Sequence, residues 1–161
     1  MKYLLVSVLT AVVVVLGCTS FKKKPEFGVF QSYVDSFKKA AKSQGVRPYL
    51  GSLTIVFVDG FKGPDKTIDY SGIIGLCMPG DIIHTPVIYI SKPYWTRTNE
   101  LRHEQLIWHE MGHCVLGRPH LMQIKDEHPI SIMYPDTDVV NDEVWYLEHK
   151  QDFIEELFRT I

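Results

Sequence analysis

Two histidines at helical spacing, His109 and His113, followed by Gly117 and His120, limit what this part of the chain can fold into. On a helix, positions i and i+4 lie about 40° apart around the axis and about 6 Å apart along it, so both imidazoles can reach one ion. Glu110 stands beside them as a candidate general base. The pair does not complete a catalytic centre, which usually takes a third protein ligand and keeps one position open to water. Gly117 can take the left-handed conformation that ends a helix, and Pro119 disfavours helix at Arg118 before it. That turn can bring His120 back to the ion, so His109, His113 and His120 are the expected ligands. His128 is a rival for the third place, as is Glu143 or Glu148 further along.

The run His109-Glu110-Met111-Gly112-His113, with Gly117, His120 and the later Ser131-Ile132-Met133-Tyr134-Pro135, resembles the metzincin family of zinc endopeptidases. Their pattern is HExxHxxGxxH followed by a methionine-containing turn, and the SIMYP segment is closest to the matrixin branch. One departure stands out. Cys114, Val115 and Leu116 put three residues between the second His and the Gly, where metzincins have two. One extra helical residue rotates the chain beyond it by about 100°. A group of bacterial zinc metallopeptidase lipoproteins, with the pattern HExGHCxLxxxxH and a later SIM turn, is similar roughly from Gly75 to Pro135.

The resemblance implies an α+β fold of the metzincin-like minimal kind: an N-terminal helix, a small twisted mixed sheet, the HExxH helix, a Met-turn and a C-terminal helix. It implies one catalytic zinc ion, with Met133 an apolar floor beneath it that does not ligate. By the same analogy Tyr134, Pro135 and Asp136 wall the pocket for the residue after the cut, and an extended peptide pairs with a strand edge near Pro86 to Ser91.

The function this predicts is a zinc-dependent endopeptidase, in which Glu110 takes a proton from the attacking water and passes it to the leaving amine. HExxH alone recurs by chance; the added Gly stop, third His and SIMYP segment carry the weight. Two alternatives stand beside it: a zinc-stabilised surface lipoprotein that binds without catalysis, and a hydrolase of cell-wall peptides. Glu110 argues against the first, because a structural site needs no base and more often has four protein ligands.

The N-terminus speaks to location. Lys2 precedes an apolar run from Tyr3 to Leu16, too short for a spanning helix of about 20 residues but suited to a secretory signal. It ends in Val15-Leu16-Gly17-Cys18, which resembles a bacterial lipobox. Residues 1–17 therefore read as a lipoprotein signal peptide, 18–27 as a lipidated N-terminus and tether, and 28–161 as one peptidase domain. The expected setting is export, with lipid on Cys18 anchoring a monomer to a bacterial membrane, the outer membrane or cell surface. Without residues 1–17 the chain has 16 basic and 19 acidic residues, a net charge of −3, which lacks the basic footprint of a nucleic-acid binder. The partner expected is a peptide or protein substrate.

If Cys18 carries lipid, Cys77 and Cys114 remain as a pair, and an exported chain sits where disulfides persist. A Cys77–Cys114 bridge is expected, with two buried thiols the alternative.

Along the chain, Phe30, Tyr33, Val34, Phe37, Ala40 and Ala41 recur at helical spacing, and Gly45 can stop that helix. Leu53 to Val58, part of Thr67 to Cys77, and Pro86 to Ser91 read as strands, with a turn at Pro79-Gly80-Asp81. The HExxH helix should start near Thr98 or Asn99 and bury Leu101, Leu106, Ile107, Met111, Val115 and Leu116. A last helix, capped by Asn141, should use Val144, Trp145, Leu147, Ile154, Leu157 and Phe158 as its apolar face. His84, His103 and His149 lack ligand spacing and read as surface or hydrogen-bonded structural residues.

Overall fold

The computed structural model describes residues 27–61, 72–136 and 142–159. The signal-like run, Cys18 and the tether to residue 26, residues 67–71 of the second strand candidate, and Asn141 lie outside the described residues. The described residues form an α+β arrangement of helices and small sheets.

After a single 3-10 turn, Gly28–Phe30, helix α1 spans Gln31–Ser43. Its stripe goes where the period places it: Val34, Phe37 and Ala41 are fully buried. Phe37 meets Trp108 and Phe158 edge-on, with ring centroids 5.8 and 5.0 Å away; burying a side chain of this size is worth about 2–3 kcal/mol. Gly45 (φ +74°) ends the helix, its amide donating to Lys42 O and that of Val46 to Ala41 O, the Schellman pattern that satisfies the last carbonyls. Phe27, on the tether side of the expected boundary, is itself buried in the core.

Strands β1 (Thr54–Val58), β2 (Gly75–Met78) and β3 (Val87–Ser91) form one mixed sheet in the order β1-β3-β2. β1 runs parallel to β3, from Thr54↔Val87 to Val58↔Ser91, and β2 runs antiparallel to it, from Gly75↔Ile90 to Met78↔Val87. β3 is therefore the central strand, and the edge expected at Pro86 to Ser91 does not exist. Both sides of it are hydrogen-bonded, and its alternate residues Ile88 and Ile90 are fully buried. The edge strand against the HExxH helix is β2.

Between β3 and that helix lies an element that hydrophobic periodicity does not reveal, α2 (Lys92–Arg97). Ser91 caps it by accepting from Tyr94 N, and Pro93 fits its first turn, where no amide proton is needed. Six residues are too few for a helical period to emerge from sequence. Helix α3 (Glu100–Leu116) begins at Asn99, whose side chain accepts from Arg102 N. It lies between α1 and the sheet, so burial runs almost unbroken from His103 to Gly112. His103 is satisfied there: Nε2 donates to Trp95 O at 2.9 Å, Nδ1 accepts from Tyr33 OH at 3.3 Å, and its ring stacks on Trp95.

A two-residue turn at Asp126-Glu127, both at positive φ (51° and 66°), joins β4 (Ile124–Lys125) to β5 (His128–Pro129), the left-handed pair that matches hairpin twist. The expected last helix is two. α4 (Glu143–Glu148), capped by Asp142, breaks at His149 before α5 (Lys150–Leu157). The break re-aims α4, so Val144 and Leu147 are exposed at 65% and 59%, while Tyr146 and Phe153 take the core positions. Leu157 and Phe158 are buried as expected.

Candidate metal centre

The buried centre of α3 carries His109 and His113 one turn apart, facing the sheet's β2 edge. Gly117 (φ 66°, ψ 22°) closes the helix, with Gly117 N donating to His113 O and Arg118 N to Gly112 O. The extra residue between His113 and Gly117 is absorbed as helix, and the loop after Gly117 still returns His120 to the pair. His113 Nε2 lies 3.1 Å and His120 Nε2 3.3 Å from His109 Nε2. Burial is graded outward: His109 is buried, His113 half-buried and His120 exposed.

The far nitrogens decide which atoms are free. His109 Nδ1–H donates to Ile132 O at 2.7 Å and His113 Nδ1–H to Arg118 O at 2.6 Å. A carbonyl only accepts, so these bonds place the protons on Nδ1 and leave both Nε2 lone pairs bare. Bare lone pairs this close repel one another unless a cation lies between them. Burial, partly opposed by the Ile132 bond, pushes the His109 pKa down to about 4, and burial beside His113 lowers that of His120. Both rings therefore offer neutral nitrogen at neutral pH. This cluster could hold a metal ion.

Glu110, next to His109 on α3, is 4% exposed and accepts from the Cys77 amide of β2. Burial raises its carboxyl to about 8, against the lowering effect of that amide. The close approach needs Gly75, since a Cβ there would overlap the Glu110 carboxylate and Leu106. Beneath the cluster, Met133 is fully buried in the turn Ser131–Tyr134, closed by Tyr134 N donating to Ser131 O at 3.2 Å. Gly112 makes room for it: a Cβ at that position would run into the Met133 sulfur.

No family model, curated protein or solved structure matches the chain. The chemistry of the site therefore rests on its own geometry.

A disulfide joins Cys77 to Cys114, with Cα atoms 5.5 Å apart. It ties β2, whose amide holds Glu110, to α3 directly after His113. The cluster, Glu110 and β2 residues Gly75, Leu76 and Cys77 line one cleft of about 820 Å3. Pro135 and Asp136 line it too, whereas Tyr134 does not.

The rival ligands are elsewhere. His128 stacks on Trp145 at 4.2 Å, and His149 stacks on that indole's ring at 3.6 Å while donating from Nδ1 to Trp145 O. Glu143 accepts from Asn99 Nδ2 and pairs with Arg102, and Glu148 is exposed on α4. His84 is exposed and pairs with Asp81. Among the described residues the three-His group has no fourth member.

Proposed function

We propose that the chain is a zinc-dependent endopeptidase of metzincin-like build. The observation that carries it is three convergent imidazole nitrogens, two with their far N–H committed to carbonyls, opening onto a cleft that also holds a buried glutamate. Zinc fits this donor set. Bonds of about 2.0–2.1 Å in a tetrahedron place ligand nitrogens about 3.3 Å apart; the 3.1 and 3.3 Å separations from His109 match this, and all three ligand atoms lie within 4.8 Å of one another. Three histidine ligands also suit a catalytic rather than a structural centre, which would more often be closed by four.

A zinc ion held by His109, His113 and His120 would supply Lewis acidity, lowering the pKa of water towards ~7 and polarising a peptide carbonyl. Glu110 does the proton work. Beside a dication its carboxyl returns to the charged form that burial alone opposes, takes a proton from the attacking water and delivers it to the leaving amine. Cys77 N–H holds that carboxyl in line, and the disulfide keeps the amide from drifting. From the cleft side, β2 rather than β3 is the strand along which an extended peptide can lie, and Pro135 and Asp136 would bound the pocket beyond the cut. Lipid on Cys18 would place the enzyme on an exported membrane surface.

The test is cleavage of denatured proteins and of purified peptidoglycan by the zinc-loaded chain and by Glu110→Gln. The variant should keep its zinc and lose about 10²- to 10⁴-fold in turnover. Full activity in Glu110→Gln would remove the assignment, and release from peptidoglycan alone would move the substrate to cell-wall peptides.

A further inference from the structure

The carbonyls that orient His109 and His113 belong to two separate loops, and one side chain from α5 reaches both. Glu156 Oε1 pairs with the Arg118 guanidinium, and Glu156 Oε2 accepts from Ser131 Oγ–H. Arg118 and Glu156 are nearly sealed from solvent, at 11% and 12% side-chain exposure. On the first loop, Arg118 O accepts from His113 Nδ1, and the second terminal nitrogen of the guanidinium donates to Arg159 O at 3.0 Å. On the second, Ser131 Oγ accepts from Met133 N at 3.0 Å, bracketing Ile132, whose carbonyl accepts from His109 Nδ1. The loops are joined again where Leu121 N donates to Met133 O.

We propose that Glu156 is a positioning residue of the metal centre: its two carboxylate oxygens hold in register the two loops whose carbonyls fix the rings of His109 and His113. The proposal rests on the zinc reading above, and deepens it by adding a shell beyond the carbonyls. Carboxylate is the group the position needs. It must accept at both ends at once, from a guanidinium and from a hydroxyl. A glutamine keeps the shape but offers one acceptor end and turns an N–H2 towards one of two donors. Arg118 Nε already lacks a hydrogen-bond partner among the described residues, so the guanidinium depends on its terminal nitrogens for compensation of its buried charge. A structural ion pair far from the site would show none of this continuity, in which His113 reaches the carboxylate by two hydrogen bonds through Arg118 and His109 by two through Ile132 and its neighbour Ser131.

Groups that orient metal-bound histidines typically contribute about 10- to 100-fold to metal affinity. The experiment is zinc affinity by chelator competition on the purified full chain, for the parent, Glu156→Gln and Ser131→Ala, with the visible bands of the cobalt(II)-loaded forms recorded alongside. Glu156→Gln should weaken zinc about 10- to 100-fold and shift the cobalt bands. Ser131→Ala, which cuts the link from Glu156 to the second loop together with the Met133 N–Ser131 Oγ bond and leaves the ion pair, should act in the same direction and by less. Folded variants that melt earlier but bind zinc as the parent does, with unchanged cobalt bands, would reduce Glu156 to a stability contact and overturn the proposal. If Glu156→Gln does not fold, parent-like affinity in Ser131→Ala overturns it alone. A parent chain that binds no zinc removes the function proposed above and this role with it, an outcome separate from any difference among the variants.

Discussion

Replacing Cys77 and Cys114 together by alanine opens a loop closed across 37 residues of sequence. In the chain-entropy picture, a crosslink of that span removes about 13 cal/mol/K from the unfolded ensemble, or about 4 kcal/mol at 25 °C. Few single features weigh as much, since a domain is held folded by roughly 5–15 kcal/mol in total. For a domain of this size the melting temperature should fall by about 10–15 °C. The assay is urea unfolding of parent and double variant, both chelated so that zinc linkage does not enter. The bridge also lies next to the proposed catalytic groups. The Cys77 amide holds Glu110, and Cys114 follows His113 on α3. Misplacing a reacting group by 1 Å can cost ~10²-fold, so kcat of the zinc-loaded double variant should fall by up to that factor with KM little changed. A stability loss under about 1 kcal/mol with an unchanged kcat would refute the view that the bridge both braces the fold and fixes the base.

The chelated chain should show a pH signature. Burial lifts Glu110 from 4.5 to about 8, so the folded chain keeps a proton that the unfolded chain has released. The stability this provides is complete below pH 4.5 and is lost as pH rises through about 8. His109, lowered from 6.5 to about 4, has the opposite sign and acts below its unfolded value of 6.5. Between about pH 6.5 and about 9 the unfolding free energy should therefore drop by about 2 kcal/mol, a slope that Glu110→Gln abolishes; a flat profile in the parent contradicts the burial argument. Gly112→Ala tests the floor of the site. Helix propensity favours the alanine by about 1 kcal/mol, but the new methyl meets Met133 and, at 3.3 Å, Leu157 Cδ1. Overpacking of about 1–3 kcal/mol should win and displace Ile132 O from His109, lowering zinc affinity, whereas a more stable variant with parent affinity would show that the turn yields freely.

Legibility in the sequence tracks the range of the interactions. His109 and His113, the Gly117 stop, the α1 stripe and the Asn99 region are set within a few residues, so spacing and capping chemistry reveal them. The Cys77–Cys114 bridge is reachable by counting cysteines once Cys18 is set aside. Strand order is not: that β3 is central depends on β1 and β2 both choosing it, and no local pattern encodes that choice. The faces of α4 differ from those expected because the break at His149 resets the helical phase. Gly75, Gly112 and Glu156 act through contacts between residues far apart in sequence, as with Gly112 and Met133 or Glu156 and Ser131. Only Gly112 leaves a trace, since a glycine in mid-helix costs about 1 kcal/mol against alanine and signals a packing reason.

The central claim is that His109, His113 and His120 form one zinc centre. Zinc stoichiometry and affinity of the purified chain, beside His120→Ala and His128→Ala, test it most directly. One zinc per parent chain, weakened by His120→Ala and untouched by His128→Ala, is the expected result. Zinc held equally well without His120, or lost with His128, whose ring stacks on Trp145, would contradict it.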